Sequence, residues 1–123
     1  MIGTLYEIVG GEAFFVALVE RFYVHVAEDP VLRPLYPADL EPGKAHLSGF
    51  LAQYWGGPPN YSMVRGHPRL RMRHAPFIIG QAERDAWVTH MRTAVDSSEA
   101  APVVKSELMA YFKNTATFLI NRQ

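Results

Sequence analysis

Apolar side chains recur every three or four positions along most of the chain, and these recurrences define its elements. From Glu12 to Ala27 they fall at Phe15, Leu18, Val19, Phe22, Tyr23 and Val26, which places them on one face of a helix. Gly10 and Gly11 break a short helical piece around Leu5 to Ile8, and Asp29-Pro30 reads as a cap and first position of a short turn ending near Tyr36-Pro37. Pro42 opens a segment with Leu47, Phe50, Leu51 and Tyr54 on one face, and Gly56-Gly57-Pro58-Pro59 stops it. After an irregular stretch, Pro68 starts a short helix carrying Leu70 and His74 four apart on one side, until Pro76 intervenes. Two more helices follow. One runs from Gln81 to Val95 with Trp87, Val88, Met91, Ala94 and Val95; the other opens at Pro102 with Val104, Leu108, Tyr111, Phe112, Thr115 and Leu119 in register. No hairpin dipeptide sits between alternating runs and no repeat occurs, so the expected fold class is all-α.

A length of 123 residues suits one domain over 1–123, and 49% apolar against 20% charged residues gives enough material for a core. The absence of cysteine excludes disulfides, thiolate metal sites and a cysteine nucleophile, so a metal must come through histidine, carboxylate or an external cofactor. It is compatible with the cytoplasm. The N-terminus has no basic region followed by an apolar run, and nowhere do eighteen apolar residues run together, so neither a signal peptide nor a membrane span is expected. A net charge of zero gives no global pull toward nucleic acid. Against that balance one stretch stands out: "RGHPRLRMRHAPF", residues 65–77, sets four arginines and two histidines together without an acid.

Five histidines, His25, His46, His67, His74 and His90, show neither an HExxH nor a His-x3-His spacing. His74 shares a face with Leu70 beside a proline, which on its own suits a hydrogen-bonded core histidine before an imidazole binding a metal already held by a macrocycle. Arg73 adjoins it and Arg69 lies one turn back, placing cations where the carboxylates of such a macrocycle need partners. A solvated basic face, or a phosphate or RNA patch with Tyr54, Trp55 and Tyr61 as stacking rings, would account for the same arginines. Tyr23, Tyr36 and Trp87 bring three donors toward the interior, to be satisfied by backbone carbonyls or by a bound ligand. The carboxylates are scattered and no nucleophile-elbow sequence occurs, which leaves hydrolase chemistry without support.

Jointly, "LRMRHAPF", "YWGGP", the Gly-Gly at 10–11 and "RFY" in the first long helix resemble the truncated haemoglobins of the second group, over essentially the whole length. The resemblance implies a shortened globin, two helix pairs stacked two over two around haem b, with a very short first helix. It assigns His74 as proximal iron ligand and Arg73 as a propionate partner. Tyr23, Tyr36 and Trp87 become distal donors, and the catalytic groups if the protein is an enzyme. Gly43 takes the place where ordinary globins hold the distal histidine, and Leu47 faces the ligand pocket one turn later. His46 stands where relatives often carry a longer cation near the haem edge, and Phe50, Tyr54, Tyr61, Met72 and Phe77 lie on segments that line the haem. The implied ligands are oxygen, carbon monoxide, nitric oxide or peroxide, and fixed donors favour slow oxygen release. Reversible oxygen binding, a haem enzyme acting on nitric oxide (a dioxygenase) or on peroxide, and a basic RNA-binding helical module stand as three readings, the last the weakest. A reductase and a homo-oligomer stay open; no nucleic-acid partner is expected on the first two.

Overall fold

The computed structural model describes residues 3–66 and 68–122, so His67 lies outside the described residues. All regular elements among them are helical: α1 Leu5–Ile8, α2 Glu12–Glu28, a 3-10 turn Arg33–Leu35, α3 Glu41–Tyr54, α4 Asn60–Arg65, α5 Leu70–His74, α6 Gln81–Asp96 and α7 Pro102–Phe118. None is long and apolar enough to cross a membrane. Helix α2 packs on α3 and on α6, and α6 packs on α7, which gives two helix pairs joined through α2 and α6. The predicted apolar faces meet there. Phe15, Leu18, Phe22, Met91, Leu108 and Phe112 are almost wholly withdrawn from water, each burial contributing roughly 1.5–3 kcal/mol.

The ends of the helices follow from local chemistry. Thr4 caps α1, accepting from Glu7 N at 3.2 Å while Glu7 accepts from Thr4 N at 2.9 Å. After α2, the Asp29 carboxylate accepts from Val31 N at 2.7 Å and from His90 Nε2, which joins the turn to α6. Gly56, at φ 113°, lies against Thr4, where a Cβ would stand 2.4 Å from the Thr4 Cβ, so only glycine lets the end of α3 meet α1.

Between α3 and α6 the structure departs from the sequence reading. The stretch read as irregular contains α4, whose third amide, Ser62 N, donates to Gln53 Oε1 at 2.9 Å while Gln53 Nε2 donates to Ser62 Oγ at 2.7 Å. An amide without an intrahelical partner is thus satisfied from another helix. The next helix begins at Leu70 rather than Pro68, because Arg69 adopts a left-handed conformation at φ 46° that starts the turn later. Beyond it, Asn121 Nδ2 donates to Phe77 O at 2.9 Å and Asn121 Oδ1 accepts from Ile79 N at 2.9 Å, so the end of the chain pins the segment following His74.

Candidate functional site

A cavity of about 430 Å³ opens between the helix pairs, within the roughly 300–1,000 Å³ of small-molecule and cofactor sites. Tyr23 comes from α2, Tyr36 from the end of the 3-10 turn, Gly43 and Leu47 from α3, and Trp87 from α6. Tyr23 and Tyr36 meet edge to face with centroids 5.7 Å apart, while Trp87 packs on Phe22 at 5.0 Å and on Phe112 at 5.7 Å. A Cβ on Gly43 would lie 2.7 Å from the Tyr23 hydroxyl, so the bare backbone there is what admits the phenol.

Burial pushes the Tyr23 phenol up to about 12, with the nearby Lys44 ammonium pulling the other way. Lys44 is held by Glu41 at 2.8 Å and Glu20 at 3.2 Å. The Tyr36 phenol is raised above its ordinary value, first by burial and then by Tyr23, while its hydrogen bond with the Trp87 indole opposes the shift. Both phenols therefore keep their protons at neutral pH and can donate.

His74 Nδ1 lies 2.6 Å from Leu70 O, one turn back in α5. A carbonyl only accepts, so Nδ1 carries the hydrogen; in the neutral ring this leaves the lone pair on Nε2, the tautomer in which imidazole ligates a metal through that nitrogen. Nε2 has no protein hydrogen bond among the described residues. Arg73 spends Nε on Pro68 O at 2.7 Å and Nη2 on Arg65 O at 3.0 Å, and Arg65 Nη1 reaches His46 Nε2 at 2.9 Å. Because guanidinium only donates, His46 accepts there in its neutral form; burial, then Arg65 and Arg73, hold its pKa below the ordinary value. Arg65 Nε is buried at the cavity wall without a partner among the described residues, an arrangement that costs about 1–3 kcal/mol unless a ligand accepts from it. An apolar cavity, one imidazole with a free lone pair, two wall arginines and an orphaned N–H fit an iron macrocycle with an anionic edge.

Eleven of the thirteen residues singled out from the sequence stand on this wall: His74, Arg73, Tyr23, Tyr36, Trp87, Gly43, Leu47, His46, Phe50, Tyr61 and Phe77. Tyr54 and Met72 do not. Tyr54, 52% exposed, shares the face of Leu47 and Phe50 but stands in the last turn of α3, one turn past the lining residues, with its ring 4.3 Å from that of Tyr111; Met72, 61% exposed, is two residues from both Leu70 and His74 and so turns away from their face of α5. Arg65 belonged to the conspicuous arginine cluster, yet only the fold sets it on the wall. Tyr111, Phe112 and Thr115 share the apolar face of α7 and could have been read from it; Leu35 and Ile79 arrive through non-local folding and carried no local signal.

A family model described as bacterial-like globin matches residues 4–121. The Group 2 truncated hemoglobin YjbI of Bacillus subtilis (strain 168) is 38% identical over 117 residues, covering 95% of this chain and 88% of that protein. Among solved structures, the hemoglobin of the thermophilic phototrophic bacterium Chloroflexus aurantiacus superposes with a TM-score of 0.96 at 53% identity, covering 98% of this chain and all of the other. A truncated haemoglobin of Bacillus subtilis, described as oxygen-avid, gives 0.91 at 38% identity over 97% of this chain and 100% of the other. The chain belongs to the bacterial-like globins, and within them to the group II truncated haemoglobins.

Proposed function

We propose that the chain, acting as one domain over residues 1–123, holds haem b through His74 and uses Tyr23, Tyr36 and Trp87 to retain a diatomic ligand, oxygen foremost, with slow release. The observation that carries this reading is one cavity wall shared by an imidazole with a fixed tautomer and three weakly acidic donors. The coarser statement follows from family membership: this is a globin, with a haem cofactor that binds diatomic gases such as oxygen. When bound, haem supplies an iron centre that takes such gases reversibly.

The chain's own groups do the rest. Leu70 O holds the His74 ring in one orientation and tautomer. Apolar neighbours such as Leu47, Phe50 and Phe112 exclude water. The phenols and the indole donate to negative charge that develops on a ligand, a contribution of about 1.5–3 kcal/mol for each hydrogen bond to a charged group. The oxygen-avid description of the Bacillus subtilis relative supports retention over delivery. The same three donors also support a second reading, oxidation of nitric oxide or turnover of peroxide, in which they polarise the reactant.

The test is resonance Raman of the reduced, haem-loaded protein. An iron–histidine stretch should be present in the wild type and absent in His74→Ala; its survival in the variant would assign the ligand elsewhere.

A further inference from the structure

The residues from 60 to 80 carry four arginines, no lysine and no acid, which leaves the remainder of the chain with a net charge of −4; Arg65 and Arg73 belong to the cavity wall, and Arg69 and Arg71 are the exposed pair on the outside. The same stretch holds five of the twelve large apolar side chains exposed among the described residues: Met63 at 78%, Val64 at 86%, and Met72, Phe77 and Ile78. These side chains stand on a braced support. Arg73 bonds to the backbone at Pro68 and Arg65, drawing the end of α4 to α5, and Arg71 packs over the Phe118 ring at 5.1 Å, joining α5 to the end of α7. The inner side of this stretch is the cavity wall itself, through Tyr61, Arg65, Arg73, His74 and Phe77.

Arginine and methionine are enriched in the cores of protein interfaces while lysine and the acids are depleted, and methionine suits surfaces that adapt to a partner. We propose that this face docks an acidic electron-donor protein, bearing a reduced flavin or iron–sulfur centre, that returns the haem iron to the ferrous state. The inference rests on the haem reading above. The step moves one electron: the donor is oxidised by one, ferric iron is reduced to ferrous, and no atom changes hands. With no cysteine, the chain has no thiol of its own to supply that electron.

Other occupants match the face less well. A second copy docked face to face would set arginines against arginines. Single-stranded RNA calls for several exposed rings to stack successive bases on, whereas Phe77 is the one exposed phenyl or phenol ring among the described residues of this stretch, its exposed companions being Met63, Val64, Met72 and Ile78, and Tyr61 is buried. An anionic membrane calls for an amphipathic helix of several turns, and α4 and α5 have six and five residues.

The test mixes the full-length ferric haem protein with reduced flavodoxin, a small acidic flavin protein, in a stopped-flow instrument and follows the Soret band. Reduction should slow steeply with added salt. Arg71→Glu should slow it at low salt by about tenfold or more, within the roughly 10–10³-fold reach of electrostatic steering, and Arg71→Lys should keep most of the wild-type rate. Dithionite at high salt should reduce all three proteins alike, which separates docking from damage to the site. Salt-insensitive reduction, or equal rates for wild type and Arg71→Glu, overturns the proposal. So does tighter binding to a single-stranded RNA oligomer or to phosphatidylserine vesicles than to flavodoxin, either of which hands the face to that partner. A chain that takes up no haem shows no Soret band, and that result sinks the haem reading before docking is measured.

Discussion

Helices α2, α6 and α7 bury their apolar faces against one another, whereas the stretch from 58 to 80 buries almost nothing against protein. In the first region Phe15, Phe22, Met91 and Phe112 lose nearly all contact with water; in the second Tyr61 alone among the described residues is buried, and Leu70, His74 and Phe77 face the cavity. The first is held by its own packing. The second is held by side-chain clamps, from Gln53 on one side and Asn121 on the other, with Arg73 and Arg71 bracing it between them, and by whatever fills the cavity. The difference separates residues that make the fold from residues that the fold makes available to a cofactor.

Phe22 is the place to press hardest on that division. It has no exposure, lies 5.0 Å from Trp87 and 5.5 Å from Tyr23 between ring centroids, and its truncation removes packing from both. Phe22→Ala should cost about 3–5 kcal/mol, a large share of the roughly 5–15 kcal/mol typical of a domain. Denaturant unfolding should show that loss with or without haem. Haem removal by itself should mainly release hydrogen-exchange protection between 58 and 80 and leave α2, α6 and α7 protected. If the two perturbations unmake the same amides, the two regions are one cooperative unit.

At Trp87 the regions meet, since its ring packs in the core and its N–H serves the cavity. Trp87→Phe keeps most of the packing on Phe112 and removes the indole N–H that shares the cavity wall with Tyr36. A hydrogen bond to a charged group is worth about 1.5–3 kcal/mol, and 1.4 kcal/mol is a factor of about ten. Oxygen should therefore leave the variant about one to two orders of magnitude faster, while carbon monoxide, which gathers less negative charge, should respond less. Stopped-flow displacement of both gases measures this; equal small changes would make Trp87 a packing residue only.

The same contrast explains what the sequence made legible. Faces such as Phe15, Leu18, Phe22 on α2 or Leu108, Phe112 on α7 announce themselves because helix-on-helix burial leaves a 3.6-residue period. His74, Tyr23, Tyr36 and Trp87 were legible as chemistry, polar tips on apolar faces beside charge. Helix α4 was not, because its first turn is completed by Gln53 from another helix. Arg65 was visible as a charge but not as a wall residue, since its place depends on His46, nineteen positions away. Tyr54 and Met72 fall off the wall for two different reasons: Tyr54 keeps the face of Leu47 and Phe50 but stands a turn past the cavity at the end of α3, while Met72 lies on the other side of α5 from Leu70 and His74.

That Arg65–His46 contact gives the smallest effect and probes the second region at its rim. His46 accepts from Arg65 only while neutral, and its pKa is held down, first by burial and then by the Arg65 and Arg73 charges. A folded value below the unfolded one, about 6.5, means that the unfolded chain binds more protons between the two. Stability from this site is therefore present above about pH 6.5 and is lost as the pH falls below it, where a protonated His46 can no longer accept. His46→Gln keeps an acceptor oxygen for Arg65 and removes the titration. Melting temperature followed from pH 7.5 to pH 5 should decline slightly more steeply for wild type than for His46→Gln, and the gap should be confined to the acid side. Because the ring is exposed, the gap will be small; two superimposable profiles would mean that Arg65 and His46 do not stay joined in solution, and that this corner of the cavity is shaped by its occupant alone.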